Sequence, residues 1–449
     1  MRILDWNTLN AAARHVALAR PHPGSHAEAA HFAAEVIKRV RREGDAALLG
    51  LTETFDGVRL EKLRVEPNEF AAASRATTVE QISALERAIT NVERFHAAQI
   101  RSPLSVDTEL GVRCEQVLRP ITAVGLYVPA GSAPLPSAVI MLGVPARLAG
   151  CSQRVLCTPP RVDGTAHPAI LIAAQLCGID TVFKVGGAQA IAALAYGTQT
   201  IPRVDKIFGP GNAWVTAAKG LVARDPAGAA CDSPAGPSEV LVLADATARA
   251  EFVAADLLAQ AEHDPLAQAI LITDSPTLAQ DVLAQIEVQR AGLSRAAILE
   301  QSLQSCRCIV VPDLDTAVRI ANEYAPEHLL LQVREPRRWL KRVCNAGSVF
   351  LGTWSPEPLG DYCSGTNHVL PTYGHARALS GLTVSDFIKT ISVQELSPEG
   401  LRALGPTAAT LARLEGLDAH AQAVGRRLAF LEHHRMDASA ERSPVEASL

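Results

Sequence analysis

Apolar and polar positions alternate along this chain in distinct regimes. Between Ser25 and Leu51 the apolar residues Phe32, Val36, Ile37, Val40, Ala47, Leu48 and Leu51 recur at the spacing of an amphipathic helix. Ile82, Leu85, Ile89, Val92 and Phe95 repeat that spacing and predict a second helix from about Val79 to Ile100. Residues 1–25 show no period and read as a short arm ending in Pro21-His-Pro-Gly-Ser. From Val124 the pattern changes to short continuous apolar runs. Val124-Gly-Leu-Tyr-Val-Pro, Arg154–Thr158, Thr181–Val185 and Lys206–Phe208 predict strands. Apolar helices over Ser137–Leu148, Pro168–Leu176, Ala188–Tyr196 and Asn212–Val222 separate or follow them. A second block repeats the alternation. Its predicted strands are Glu239–Ala244, Ala269–Thr273, Ile309–Val311, Leu329–Val333 and Ser348–Leu351. Its helices are Ala250–His263, Leu278–Ala291 and Leu314–Tyr324. After Ser380 the pattern is helical again, over Thr407–Leu414 and Ala419–Leu431, split at Gly416 and capped by Asp418. Residues 432–449 are polar and aperiodic and read as a frayed tail.

Strands alternating with helices mean βαβ units and parallel sheets, so the fold class is α/β. A chain of 449 residues is too long for one ordinary core, so more than one domain is expected. Small-residue turns follow the strands of the first block, at Gly186-Gly187 and Gly209-Pro-Gly-Asn212. In open α/β sheets ligands bind beyond the carboxyl ends of strands, and glycine lets backbone N–H groups meet a phosphate there. The full Gly-x-Gly-x-x-Gly fingerprint is absent, so spacing alone leaves open both a dinucleotide site and a ligand-free scaffold.

Composition narrows the class of partner. Net charge is −5 and no basic block stands out, which argues against nucleic acid and anionic membrane. The N-terminus lacks the apolar core of a secretory signal, and no run approaches the ~20 apolar residues that span a bilayer. The nine cysteines are scattered and odd in number, as in a reduced cytoplasmic protein. Cys306 and Cys308 lie where a strand begins and read as buried thiols rather than metal ligands.

The stretch Gly360–Gly374 is rich in turn formers and carries Asp361 and His368 among glycines and hydroxyl residues. Taken alone it is a solvated loop. Other histidine clusters in the same half make it a candidate hub: Gln260 with His263, Glu327 with His328, and Glu415 with His420. Gln260 and His263 are three apart on a predicted helix and share a face. With Asp361 and His420 they form a nitrogen and oxygen donor set suited to a borderline divalent ion. Each pair also has a plainer reading, as a helix-end histidine or an exposed pair at a strand edge.

Long motifs in order resemble histidinol dehydrogenase over nearly the whole chain. They include Val185-Gly-Gly-Ala-Gln-Ala-Ile, Lys206-Ile-Phe-Gly-Pro-Gly-Asn, Ala235-Gly-Pro-Ser-Glu-Val-Leu-Val, Asp256-Leu-Leu-Ala-Gln-Ala-Glu-His and Tyr324-Ala-Pro-Glu-His-Leu. Gly360-Asp-Tyr-Cys-Ser-Gly-Thr-Asn-His-Val-Leu-Pro-Thr and Glu415-Gly-Leu-Asp-Ala-His complete the series. The resemblance implies oxidation of L-histidinol to L-histidine through the aldehyde, with two NAD+ and one Zn2+ per subunit. It implies metal ligands Gln260, His263, Asp361 and His420, and a catalytic pair Glu327 and His328. Substrate contacts would come from Ser238, Gln260, His263, His328, Asp361, His368, Glu415 and His420, and NAD contacts from Tyr127, Gln189 and Asn212. It further implies two Rossmann-like domains, one from residues 26–123 with 239–380 and one from 124–238. A helical segment over 381–431 would hold an intertwined homodimer with shared active sites. Ala130 departs from the family's Pro-Gly-Gly turn near the cofactor. The rivals are a relative that oxidises another alcohol and a cofactor-free zinc hydrolase.

Overall fold

Six short strands pair in parallel, and the central ones are apolar enough to be covered on both faces. In spatial order they are Arg2–Asp5, Arg307–Val310, Gln268–Thr273, Glu239–Ala244, His328–Gln332 and Ser348–Leu351. Every residue of the three central strands is buried, which is why they read as continuous apolar runs rather than alternating ones. A second parallel sheet has the order Thr181–Lys184, Gln153–Thr158, Ala123–Tyr127, Lys206–Phe208 and Ala230–Cys231. The computed structural model describes residues 1–21, 26–130, 133–233 and 236–440. The expected helix start at Ser25, the Ala130-Gly-Ser turn and the lead Ala235-Gly-Pro-Ser fall partly outside these residues.

The chain divides into two units, 1–100 with 120–387, and 101–119 with 388–449. The first holds both parallel sheets. The second contains a three-stranded sheet ordered Ile388–Leu396, Val112–Pro120, Leu104–Glu109, and two helices, Pro398–Leu414 and Asp418–Ala440, packed on each other. Gly405 admits Val424 and Leu428 of the partner helix, whose atoms would lie 3.1 and 3.2 Å from a side chain there.

Several expectations need adjusting. The long first helix is two, His26–Glu43 and Asp45–Asp56, because Gly44 takes a left-handed φ of 57° between them. The arm is not unstructured: Arg2–Asp5 forms an edge strand, and Ala11–Ala17 is a helix capped by Asn10. Sequence assigned residues 26–123 to the sheet formed by 239–380. Val36, Val40, Leu48 and Leu51 instead pack with Tyr127, Phe183, Ile191 and Val215, and Ile89 and Val92 pack with Val124 and Ile140. These helices therefore cover the five-stranded sheet. The final helix runs to Ala440, past the expected start of a tail at Glu432, and residues 441–449 lie outside the described residues.

Candidate active site

Helix Ala250–Ala261 runs back from the carboxyl end of strand Glu239–Ala244 towards the amino end of strand Gln268–Thr273. Gln260 closes its last turn, and His263 follows with its backbone N–H on the Gln260 carbonyl at 3.2 Å. Gln260 is fully buried, yet neither its amide oxygen nor its amide nitrogen has a partner. Such groups cost free energy unless something binds them. A second short helix, Glu357–Tyr362, packs against the first and carries Asp361. The polar stretch that begins at Gly360 therefore starts inside a helix, where sequence expected a loop.

Ligand atoms of His263, Asp361 and Glu357 lie within 4.8 Å of one another. Oδ1 of Asp361 and Oε2 of Glu357 are buried and unpartnered, as Gln260 is. This donor set, one imidazole nitrogen with carboxylate and amide oxygens, fits a borderline divalent cation. Sequence reasoning missed Glu357. Its signal was present in Glu357-Pro-Leu-Gly-Asp361, two carboxylates at the i,i+4 spacing of one helix face.

Glu327 and His328 stand at the amino end of strand His328–Gln332, with His328 in register with Val240 and Ser348. In this sheet the site lies at the amino ends, opposite to the rule used on the sequence. Both side chains are buried, and both are tied to the backbone of Glu239. The Glu239 N–H donates to Glu327 Oε2 at 2.8 Å, and His328 Nδ1–H donates to the Glu239 carbonyl at 3.3 Å. That bond assigns the proton to Nδ1 and leaves Nε2 facing Asp361 Oδ1 at 3.3 Å. Burial lifts the Glu327 carboxyl to about 8 despite the neighbouring His328. Burial also works to lower the His328 ring, but Glu327 and Asp361 overcome it and carry it to about 10. For Asp361 burial pushes the carboxyl up, but the neighbouring His328, together with His368 and His263, outweighs it and holds the carboxyl below its ordinary range. Burial lowers His368 and raises Glu357.

His368 reaches the cluster through its ring, which donates from Nδ1 to the Asp361 carbonyl at 2.8 Å. Ser238 and His263 line a cavity of about 2340 Å3 that also meets Tyr127, Gln189 and Asn212. The buried Gln260, Glu327, His328 and Asp361 are not part of that lining. The Gly187 N–H donates to the Tyr127 hydroxyl at 3.1 Å, and Asn212 caps helix Ala213–Val222. The glycine turns thus surround one cavity at the carboxyl ends of the five-stranded sheet. Glu415 and His420 belong to the second unit, at the end of one helix and the start of the next, and both are exposed there. Every cysteine is a free thiol, and Cys306 and Cys308 are buried.

The sequence profile described as histidinol dehydrogenase matches residues 20–428. The chain belongs to the histidinol dehydrogenase family. It is 56% identical over 428 residues to a histidinol dehydrogenase of Xanthomonas oryzae pv. oryzae, covering 95% of this chain and 99% of the relative. It is 53% identical over 435 residues to one from Vibrio parahaemolyticus, covering 97% and 100%. A crystal structure of histidinol dehydrogenase from Elizabethkingia anophelis superposes with a TM-score of 0.92 at 43% identity, covering 96% of this chain and 99% of that one. Histidinol dehydrogenases are NAD-dependent oxidoreductases.

Proposed function

We propose that the protein oxidises L-histidinol to L-histidine through L-histidinaldehyde with two NAD+, as a zinc-dependent cytoplasmic homodimer. The observation that carries this reading is the set of unpartnered ligand atoms on Gln260 and Asp361, with His263 close to Asp361 and the buried Glu327–His328 pair beside it. Gln260, His263, Asp361 and His420 would hold the zinc. When bound, zinc orients the substrate's imidazole and amine and keeps the aldehyde from escaping. Ser238, His368 and Glu415 complete the substrate contacts. Tyr127, Gln189 and Asn212 contact NAD in a Rossmann-like domain, and the partner subunit's C-terminal segment contributes to each site.

Oxidising an alcohol removes a proton from oxygen and a hydride from carbon. His328 Nε2, with Nδ1–H committed to the Glu239 carbonyl, takes the proton. The two flanking carboxylates hold that ring protonated at neutral pH, so a base there requires one of them to be engaged elsewhere. Asp361 is that one, because Oδ1, the oxygen that faces the ring, also belongs to the donor set. The aldehyde offers no second hydride until water adds. Glu327, with a carboxyl that exchanges its proton near neutral pH, activates the water, and His328 deprotonates the resulting diol. The test is NADH formed per L-histidinol consumed, with and without a chelator. Two NADH per histidinol, lost on chelation and restored by zinc, is expected. No NADH from histidinol in a zinc-loaded protein would redirect the assignment to another alcohol.

A further inference from the structure

The N-terminal segment around Arg20 contacts the Glu327–His328 pair's supports at two points. Arg20 Nε meets Glu239 Oε2 at 2.7 Å in a largely buried ion pair. Its Nη2 donates to the Tyr324 carbonyl at 2.8 Å and to the Ala325 carbonyl at 3.4 Å. The guanidinium also lies over the Tyr324 ring, 3.8 Å from its centroid. Ala325 has a left-handed φ of 54°, a costly conformation for a residue with a side chain, and it begins the turn that delivers Glu327 and His328.

One side chain thus grips both segments that fix the pair: the turn before it, and Glu239, whose N–H and carbonyl hold Glu327 and His328. The segment itself is anchored. Gln268 Nε2 donates to the Ala19 carbonyl at 3.0 Å, and the Tyr373 hydroxyl donates to the Pro21 carbonyl at 2.8 Å. Tyr324, under the guanidinium, donates its hydroxyl to Gln268 Oε1 at 2.7 Å, which closes the frame.

We propose that Arg20 is a positioning residue for the reaction: it locks Glu239 and the Tyr324–Pro326 turn so that Glu327 and His328 meet the substrate in register. This rests on the functional reading above. A guanidinium suits the task because it serves a carboxylate and two carbonyls at once in a fixed fork, whereas an ammonium is a single point charge. A shift well under the length of a bond suffices to slow proton and hydride transfer, without altering how tightly histidinol or NAD binds.

The experiment compares zinc-loaded wild-type, Arg20→Lys, Arg20→Met and Glu239→Gln proteins with histidinol and NAD. Arg20→Met should lower kcat by ~10–100-fold. KM for both substrates should stay within about threefold and zinc content near wild type, while melting falls because Glu239 is left buried and unpaired, so kcat is taken per folded, zinc-loaded site. Arg20→Lys should recover part of the loss. Combining Arg20→Met with Glu239→Gln should cost little more than Arg20→Met alone, because both act through one contact. A kcat within about twofold of wild type in Arg20→Met would overturn the proposal. So would a loss matched by lost zinc or lost folded protein, or losses that multiply in the double variant. If wild type itself does not turn over histidinol, the functional reading fails instead, and the two failures are distinct.

Discussion

His328 stands between two buried acids, and its chemistry depends on which of them keeps its charge facing the ring. Glu327 approaches Nδ1 at 3.7 Å and Asp361 approaches Nε2 at 3.3 Å. Glu327→Gln keeps an oxygen for the Glu239 N–H but removes the group that can take a proton from water. Oxidation of histidinol to the aldehyde should stay within about tenfold of wild type, while oxidation of the aldehyde falls by ~10²–10⁴. A single-turnover experiment then yields one NADH per site instead of two, and equal loss in both steps would refute the division of labour. At the turn before Asn212, Gly209 has a φ of 126°, and a side chain there would run into the Tyr127 carbonyl. Gly209→Ala should cost about 1–3 kcal/mol of stability and weaken NAD binding. Thermal melting and a fluorescence titration with NAD check the two effects separately.

At the scale of elements, the site depends on three segments meeting through a buried acid. Asp256, on the same helix as Gln260, accepts a hydrogen bond from Gln332 Nε2 at 3.1 Å and is also bonded by the backbone of Glu357. Burial lifts its carboxyl from 3.8 to about 7 in spite of these bonds. The native state therefore holds a proton that the unfolded chain releases. Stability attributable to this group falls as pH rises through that window, by up to about 1.4 kcal/mol per pH unit. Asp256→Asn removes the slope, so the difference in unfolding free energy between wild type and variant should shift steadily in favour of the variant from pH 4 to pH 7. Denaturant titrations across that range test it, and a constant difference would refute it. The same contrast explains what sequence could reveal. Strand Glu239–Ala244 was legible because a fully covered parallel strand needs an unbroken apolar run. Arg2–Asp5 was not, because an edge strand with Ile3 largely exposed carries no such run. The hairpin Leu104–Pro120 was hidden for the same reason, its first strand being exposed throughout. Helix Pro398–Leu414 was truncated in the sequence reading because Gly400, Gly405 and Pro406 interrupt the signal, although packing tolerates them. Glu357 was not legible because it precedes the run of turn formers that begins at Gly360. The Arg20–Glu239 and Glu239–Glu327 contacts join residues 219 and 88 positions apart, which no local pattern reports.

At the scale of the whole molecule, the question is whether one chain makes one site. Glu415 and His420 are exposed on the second unit, although the family resemblance gives both a role at the substrate and His420 a place on the metal. Exposed residues with those expected roles fit an arrangement in which each subunit lends its C-terminal segment to the other. An isologous dimer of that design has a testable arithmetic. Pair one subunit carrying His328→Asn with another carrying His420→Asn, using two affinity tags to purify the mixed dimer. If sites are shared, both lesions fall in one site and the other is intact, so the mixed dimer should show about half the wild-type turnover while each parent homodimer is nearly inactive. If each site is built from a single chain, both sites of the mixed dimer carry a lesion and it should be as inactive as its parents. The prediction needs no assumption about how tightly zinc binds, because zinc content measured on the same sample shows whether the intact site is loaded.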